Sequence, residues 1–255
     1  MQKRWLLGAA AALAMAAPAV AHADTTGYVG LGYNTIHDDD DSFKDNYLTL
    51  QGAMVADITG DWHVQFDAAD GDMSHDSHDD AQSAINVHVF NRNDTFAYGV
   101  FGGFESRTGG SFWNLGAEGQ YFVGNLTLSA AAMHGDQRNG GDFQTDSVDL
   151  QADYFVMPNL SVGGGLNYRN DEWDGEEGHT LQVNAEYQMT NCPMSFGAMY
   201  WEGNYDYDGG GDHTTQSFGL FAKWNFGTSD LVTRSHSGAS MIGGSTIMRD
   251  TIGQY

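Results

Sequence analysis

Cysteine, proline and basic residues are scarce in this chain. Its 255 residues hold one Cys, 3 Pro and 10 Lys and Arg against 34 Asp and Glu, for a formal net charge of -24. A single thiol, Cys192, excludes an intramolecular disulfide, so a disulfide-stapled small domain is ruled out. The acidic balance repels nucleic acid. Gly163-Gly164-Gly165 and Gly209-Gly210-Gly211 lack the Lys-Ser/Thr that would follow in a phosphate-binding loop. Beyond Val20 no run approaches the roughly 18 apolar residues of a membrane helix.

The one long apolar run is N-terminal. Lys3 and Arg4 precede an Ala/Leu-rich stretch from Trp5 to Val20, and Ala21-His22-Ala23 then offers a small-residue cleavage site. This is the layout of a secretory signal peptide cleaved after Ala23. The expected organisation is residues 1–23 as signal peptide, 24–226 as a folded β-domain, and 227–255 as a tail.

What the chain does have is alternation. From Phe112 to Met133, Trp113, Leu115, Ala117, Gly119, Tyr121 and Val123 alternate with small or polar residues. The chain turns at Gly124-Asn125 and returns through Leu126, Leu128, Ala130 and Ala132. Period 2 on both arms makes this a β-hairpin, and each arm is near the roughly 9 to 11 residues that cross a bilayer as a tilted strand. The same pattern recurs along the chain and gives twelve strands, the last ending Phe218, Leu220, Ala222, Trp224 and Phe226. Ascending strands restart at Trp62, Phe96, Leu126, Leu160 and Phe196, at near-equal intervals, an internal repeat of one hairpin and one longer connection. Short turns near residues 59–61, 92–94, 124–125, 157–159 and 190–193 alternate with long, mostly acidic connections at 37–46, 70–81, 105–111, 135–146, 170–179 and 203–215. An even number of antiparallel strands with short periplasmic turns and long acidic extracellular loops describes an all-β transmembrane barrel.

The placement of charge follows the same parity. Asp57, Asp67, Glu118, Asp149, Asp153, Arg169, Glu186 and Lys223 all fall opposite the apolar set. A Lys or Arg at the lipid-facing midplane costs roughly 2 to 4 kcal/mol, so these eight are expected to line a lumen. A soluble sandwich would instead bury bulky side chains on its inner face, where this chain places Gly, Ser, Asn and Gln. Six acids against two bases should attract cations. In the connection at 70–81, Asp70, Asp72, His75 and His78 form a candidate metal site, since imidazole with carboxylate suits zinc or copper. The alternative for these loops is solvation, or divalent cations bridging them to lipopolysaccharide phosphate.

The stretch from Thr26 to Phe226 resembles the outer-membrane β-barrel porins of Gram-negative bacteria. Its last strand, Phe218 to Phe226, is similar to that family's assembly signal, in which alternating apolar residues end in an aromatic. The resemblance implies residence in the bacterial outer membrane, contact with lipid, lipopolysaccharide and the barrel assembly machinery, and passive diffusion of small hydrophilic or cationic solutes. No catalytic residues and no resident cofactor are expected. The alternatives are a barrel enzyme, a hydrolase or lipid A modifier, or a structural or metal-binding surface barrel. The family usually ends at the terminal aromatic, whereas this chain continues. Its tail repeats Leu231-Val-Thr-Arg-Ser-His-Ser-Gly238 as Thr246-Ile-Met-Arg-Asp-Thr-Ile-Gly253. The tail reads as a flexible periplasmic extension, or as a segment that folds into the barrel mouth and offers its arginines to the acidic lumen.

Overall fold

The computed structural model of the protein describes residues 25–39, 44–75, 78–107, 110–137, 144–171, 176–207 and 213–244. The signal-peptide reading and Arg249 lie outside these residues. Twelve strands form: β1 (Thr26–Asp38), β2 (Lys44–Thr59), β3 (Trp62–His75), β4 (His78–Arg92), β5 (Phe96–Arg107), β6 (Gly110–Val123), β7 (Leu126–Gln137), β8 (Gln144–Met157), β9 (Leu160–Asp171), β10 (Glu176–Gln188), β11 (Met194–Tyr207) and β12 (His213–Phe226). Each pairs antiparallel with its neighbours in sequence, and β12 pairs with β1 to close the barrel. Closure leaves no open sheet edge, the condition under which strands can stand in hydrocarbon. One short helix, α1 (Leu231–Ser237), follows β12.

At one rim the strands are joined tightly. Gly124 takes φ 60, a left-handed conformation that strains other residues, and lets Val123 turn into Leu126 and pair with it. At the other rim the structure departs from the sequence reading. The stretch 70–81, expected as a loop, is nearly all strand: β3 runs to His75, β4 starts at His78, and these two residues sit opposite each other in the ladder. The other five long connections shorten in the same way. Ladder hydrogen bonds need backbone groups rather than apolar side chains, so strands continue past the apolar belt where the alternation signal stops.

The barrel is inside-out relative to a soluble protein. Leu31, Leu48, Leu115, Leu150, Val183 and Leu220 are all at least half exposed on the outside. Aromatic residues flank this aliphatic belt: Trp62, Phe96, Tyr121, Tyr154, Tyr187, Phe196 and Trp224 toward the turn rim, and Tyr33, Phe104, Tyr168 and Phe218 toward the other. Water would penalise so large an apolar surface, whereas lipid matches it, and aromatic girdles suit the two headgroup levels. A surface concavity of about 920 Å³ also lies outside, where Gly119, Ala130, Ala152 and Gly164 leave a shallow groove between larger apolar side chains.

Candidate functional site: the barrel lumen

The eight charged residues singled out by parity all lie opposite the exposed apolar set, but their surroundings differ. Asp67, Glu118, Glu186 and Lys223 are buried, while Asp149, Asp153 and Arg169 are half-buried. Asp57 is exposed near the turn rim, where its Oδ1 lies 2.7 Å from His63 Nδ1. Asp149 accepts from Asn167 at 2.8 Å, and the Arg169 guanidinium lies 5.8 Å from the centre of the Tyr205 ring. Of the candidate metal ligands, Asp70 is buried, and the side chains of Asp72, His75 and His78 lie outside the described set. Among the described residues no group of three or more His, Cys, Asp and Glu could hold a metal ion.

The lumen also contains part of the chain itself. After Phe226, Gly227 turns the backbone inward with φ 74. A side chain there would collide with the backbone of Thr25 and Thr26. Asp230 then caps α1, its Oδ1 accepting from Thr233 N at 2.8 Å, and the Leu231 N–H donates to Pro158 O in the turn between β8 and β9 at 2.9 Å. The helix carries Arg234 to Glu186 on β10, where Nη1 and Nη2 each donate to one carboxylate oxygen at 2.6 Å. Asn225 accepts a third bond from the same guanidinium at 2.9 Å, and Lys223 Nζ reaches Glu186 from the side at 3.3 Å. A planar fork on a carboxylate is the strongest form of this contact.

Past the helix the segment crosses to the opposite wall. Arg92 on β4 donates to Gly238 O at 2.9 Å and to Ser240 Oγ at 3.0 Å. Gln120 donates to Ser240 O at 2.7 Å, and Gln65 exchanges two bonds with the Met241 backbone, at 3.0 and 3.2 Å. Gly243 N donates to Glu118 Oε2 at 2.8 Å. That carboxylate also holds His88 Nδ1 at 2.6 Å, and Asp67 holds His88 Nε2 at 2.9 Å, so the imidazole is gripped from both sides. Ala239 and Met241 complete an apolar cluster with Tyr28, Ala53, Val55, Phe90, Ala97 and Phe122, each at most 5% exposed. His236 of α1, which belongs to none of the strands, packs on the inward rings of Phe122 and Phe155. Burial, with Arg92 nearby, pushes it below the ordinary imidazole value.

Sequence reasoning missed His88, Arg92 and the inward aromatics Phe90, Phe122 and Phe155. The parity that found Asp67 and Glu118 also places His88 and Arg92 inside, because Ile85, Val87 and Val89 face out. Nothing in the strands themselves marks the inward aromatics, since their cover comes from the tail.

Solved structures share this architecture. The KdgM porin is 12% identical with a TM-score of 0.52, over 77% of this chain and 99% of that one. An outer membrane channel from Pseudomonas putida F1 is 15% identical with a TM-score of 0.55, over 79% and 95%. KdgM has also been solved in complex with disordered oligogalacturonate. At such identities the likeness is one of fold. No curated protein sequence matches the chain. The family model of Gram-negative porins matches residues 92–231, more than half of the sequence, and the chain belongs to that family.

Proposed function

We propose that this outer-membrane barrel is a channel for passive diffusion of small hydrophilic solutes, with a preference for cations. The observation that carries the sign is the inner wall. Asp57, Asp149 and Asp153 face inward in addition to Asp67, Glu118 and Glu186, and Glu105 joins them, buried on the same parity of β5. His88 bridges Asp67 and Glu118, and Lys223 and Arg234 balance Glu186. The remaining carboxylates, Asp57, Glu105, Asp149 and Asp153, leave the wall acidic, with Arg92 and Arg169 as inward counter-charges. A low-dielectric wall focuses that field along the lumen. Oligogalacturonate, the ligand in the KdgM complex, is a polyanion, and an acidic wall favours solutes of the other sign. Membership of a porin family, and the porin and channel named among the similar folds, support a channel over a barrel hydrolase.

Divalent cations held between carboxylates at the far rim and lipopolysaccharide phosphate, and assembly factors reading the strand that ends at Phe226, complete the proposed partners. The test is a reversal potential in a planar bilayer under a potassium chloride gradient. A cation-selective potential is expected; an anion-selective one would overturn the charge argument, and hydrolysis of ester or peptide substrates without conductance would favour the enzyme reading.

A further inference from the structure

We infer that residues 228–244 are an intramolecular plug that closes the channel at its turn-side half and must leave the lumen for solute to pass. The inference rests on the channel reading. Three observations carry it.

The segment spans the lumen. Glu186, which holds Arg234, is on β10, and Arg92, which holds Gly238 and Ser240, is on β4. In a closed ring of twelve strands these two stand diametrically opposite. A chain bonded to both at once lies across the route a solute would take.

The wall is built to be covered. Phe90 is 0% exposed and Phe122 5% on the inward face, in one cluster with Ala239 and Met241. A permanently wet lumen would have no cause to place large apolar side chains there, and burying them favours the docked state. Gly243 lies so close to the Phe101 ring that a Cβ would overlap it.

The wall is also built to survive departure. The strand ladder closes through β1 and β12, and the tail takes no part in it. If Arg234 leaves, Glu186 keeps Lys223 and Ser195 as partners. If Gly243 leaves, Glu118 keeps His88. Neither Glu186 nor Glu118 is stranded, and Arg92, which gives up Gly238 O and Ser240 Oγ, meets the water that replaces the tail, so withdrawal avoids the large cost of a charge left both dry and unpartnered. Helix α1 has seven residues, too few to persist alone, so docking and helix formation are one event. Together these give an element with two states rather than a fixed core.

A reversible tether tests this in the full chain. Thr127 Oγ1 on β7 lies 2.8 Å from Ser235 Oγ of α1. The pair Thr127→Cys and Ser235→Cys, with Cys192→Ser to remove the native thiol, should form a disulfide that locks the segment in place. A second variant, Arg234→Ala, weakens the anchor without a tether. Both are folded into lipid, checked for the heat-sensitive gel mobility of a closed barrel, and recorded as single channels. The oxidised tether should show loss of channel events that return on reduction, and Arg234→Ala should be open for a larger fraction of the time than the parent. Equal conductance before and after reduction, with the bond confirmed by mass, would overturn the plug and leave the channel reading intact. Absence of conductance from every folded variant, reduced or not, would overturn the channel reading, and the plug with it.

Discussion

The two halves of the lumen are lined by inward faces of the same strands, yet they are filled differently. Toward the turn rim the wall offers Tyr28, Val55, Phe90 and Phe122 with Arg92, Glu186 and Lys223, and the tail packs onto all of these elements. Toward the far rim it offers mainly buried polar groups, Asn34, Thr49, Asn114, Thr145, Ser147, Asn167, Thr180 and Ser217, with Tyr47 opposite Asn34 and Trp201 opposite Ser217 among them. The second half is lined mainly by neutral hydrogen-bonding groups. The first, while the tail is docked, is packed like the core of a soluble protein, with apolar cover and a satisfied ion cluster.

The comparison can be broken most severely at the ion cluster. Glu186→Gln leaves Arg234 and Lys223 buried without their carboxylate, and loss of one partner from a buried pair costs about 3–5 kcal/mol. Hydrogen exchange of residues 231–244 in the lipid-folded protein should rise sharply, while exchange at Thr49 and Ser147 stays unchanged. Next is the apolar contact: Met241 is 1% exposed, and truncating such a side chain costs about 2–5 kcal/mol. Met241→Ala should therefore free the tail to protease, whereas Thr49→Ala in the far half should not.

A smaller effect is expected at the helix start. Asp230→Ala removes the cap on Thr233 and should weaken docking by about 1 kcal/mol, read by the same exchange measurement. The smallest is a pH response at His236, which faces Phe122 and Phe155 with Arg92 beside it. Its docked value is depressed, so an undocked tail takes up a proton first. Docking is therefore full above the free imidazole value of about 6.5 and weakens as pH falls through and below it. Tail exchange should be faster at acidic than at neutral pH, and His236→Gln should flatten that difference.

Much of the wall was legible from the chain. Alternation of period 2 located all twelve strands and separated Leu150 from Asp149, because a strand buried in lipid on one face cannot shift by a single residue without exposing charge. The short turns were legible too, through Gly124-Asn125 and Pro158-Asn159. The far ends of the strands were not, since from Asp70 to Ala81 the ladder continues without an apolar face to announce it. The interior was legible only in part. Ser129 does face inward, but it accepts from Gln120 within a packed interior rather than facing open water. Inward phenylalanines become intelligible only when Ala239 and Met241 are laid against them, a contact between residues more than a hundred positions apart.

Thiol protection at position 241 tests most directly whether the tail fills the lumen. Met241→Cys in a Cys192→Ser background, folded in lipid vesicles, is treated with a water-soluble maleimide. Labelling should be strongly slowed relative to the same protein in denaturant and should accelerate when Arg234→Ala is added; labelling as fast as in denaturant would contradict a docked tail.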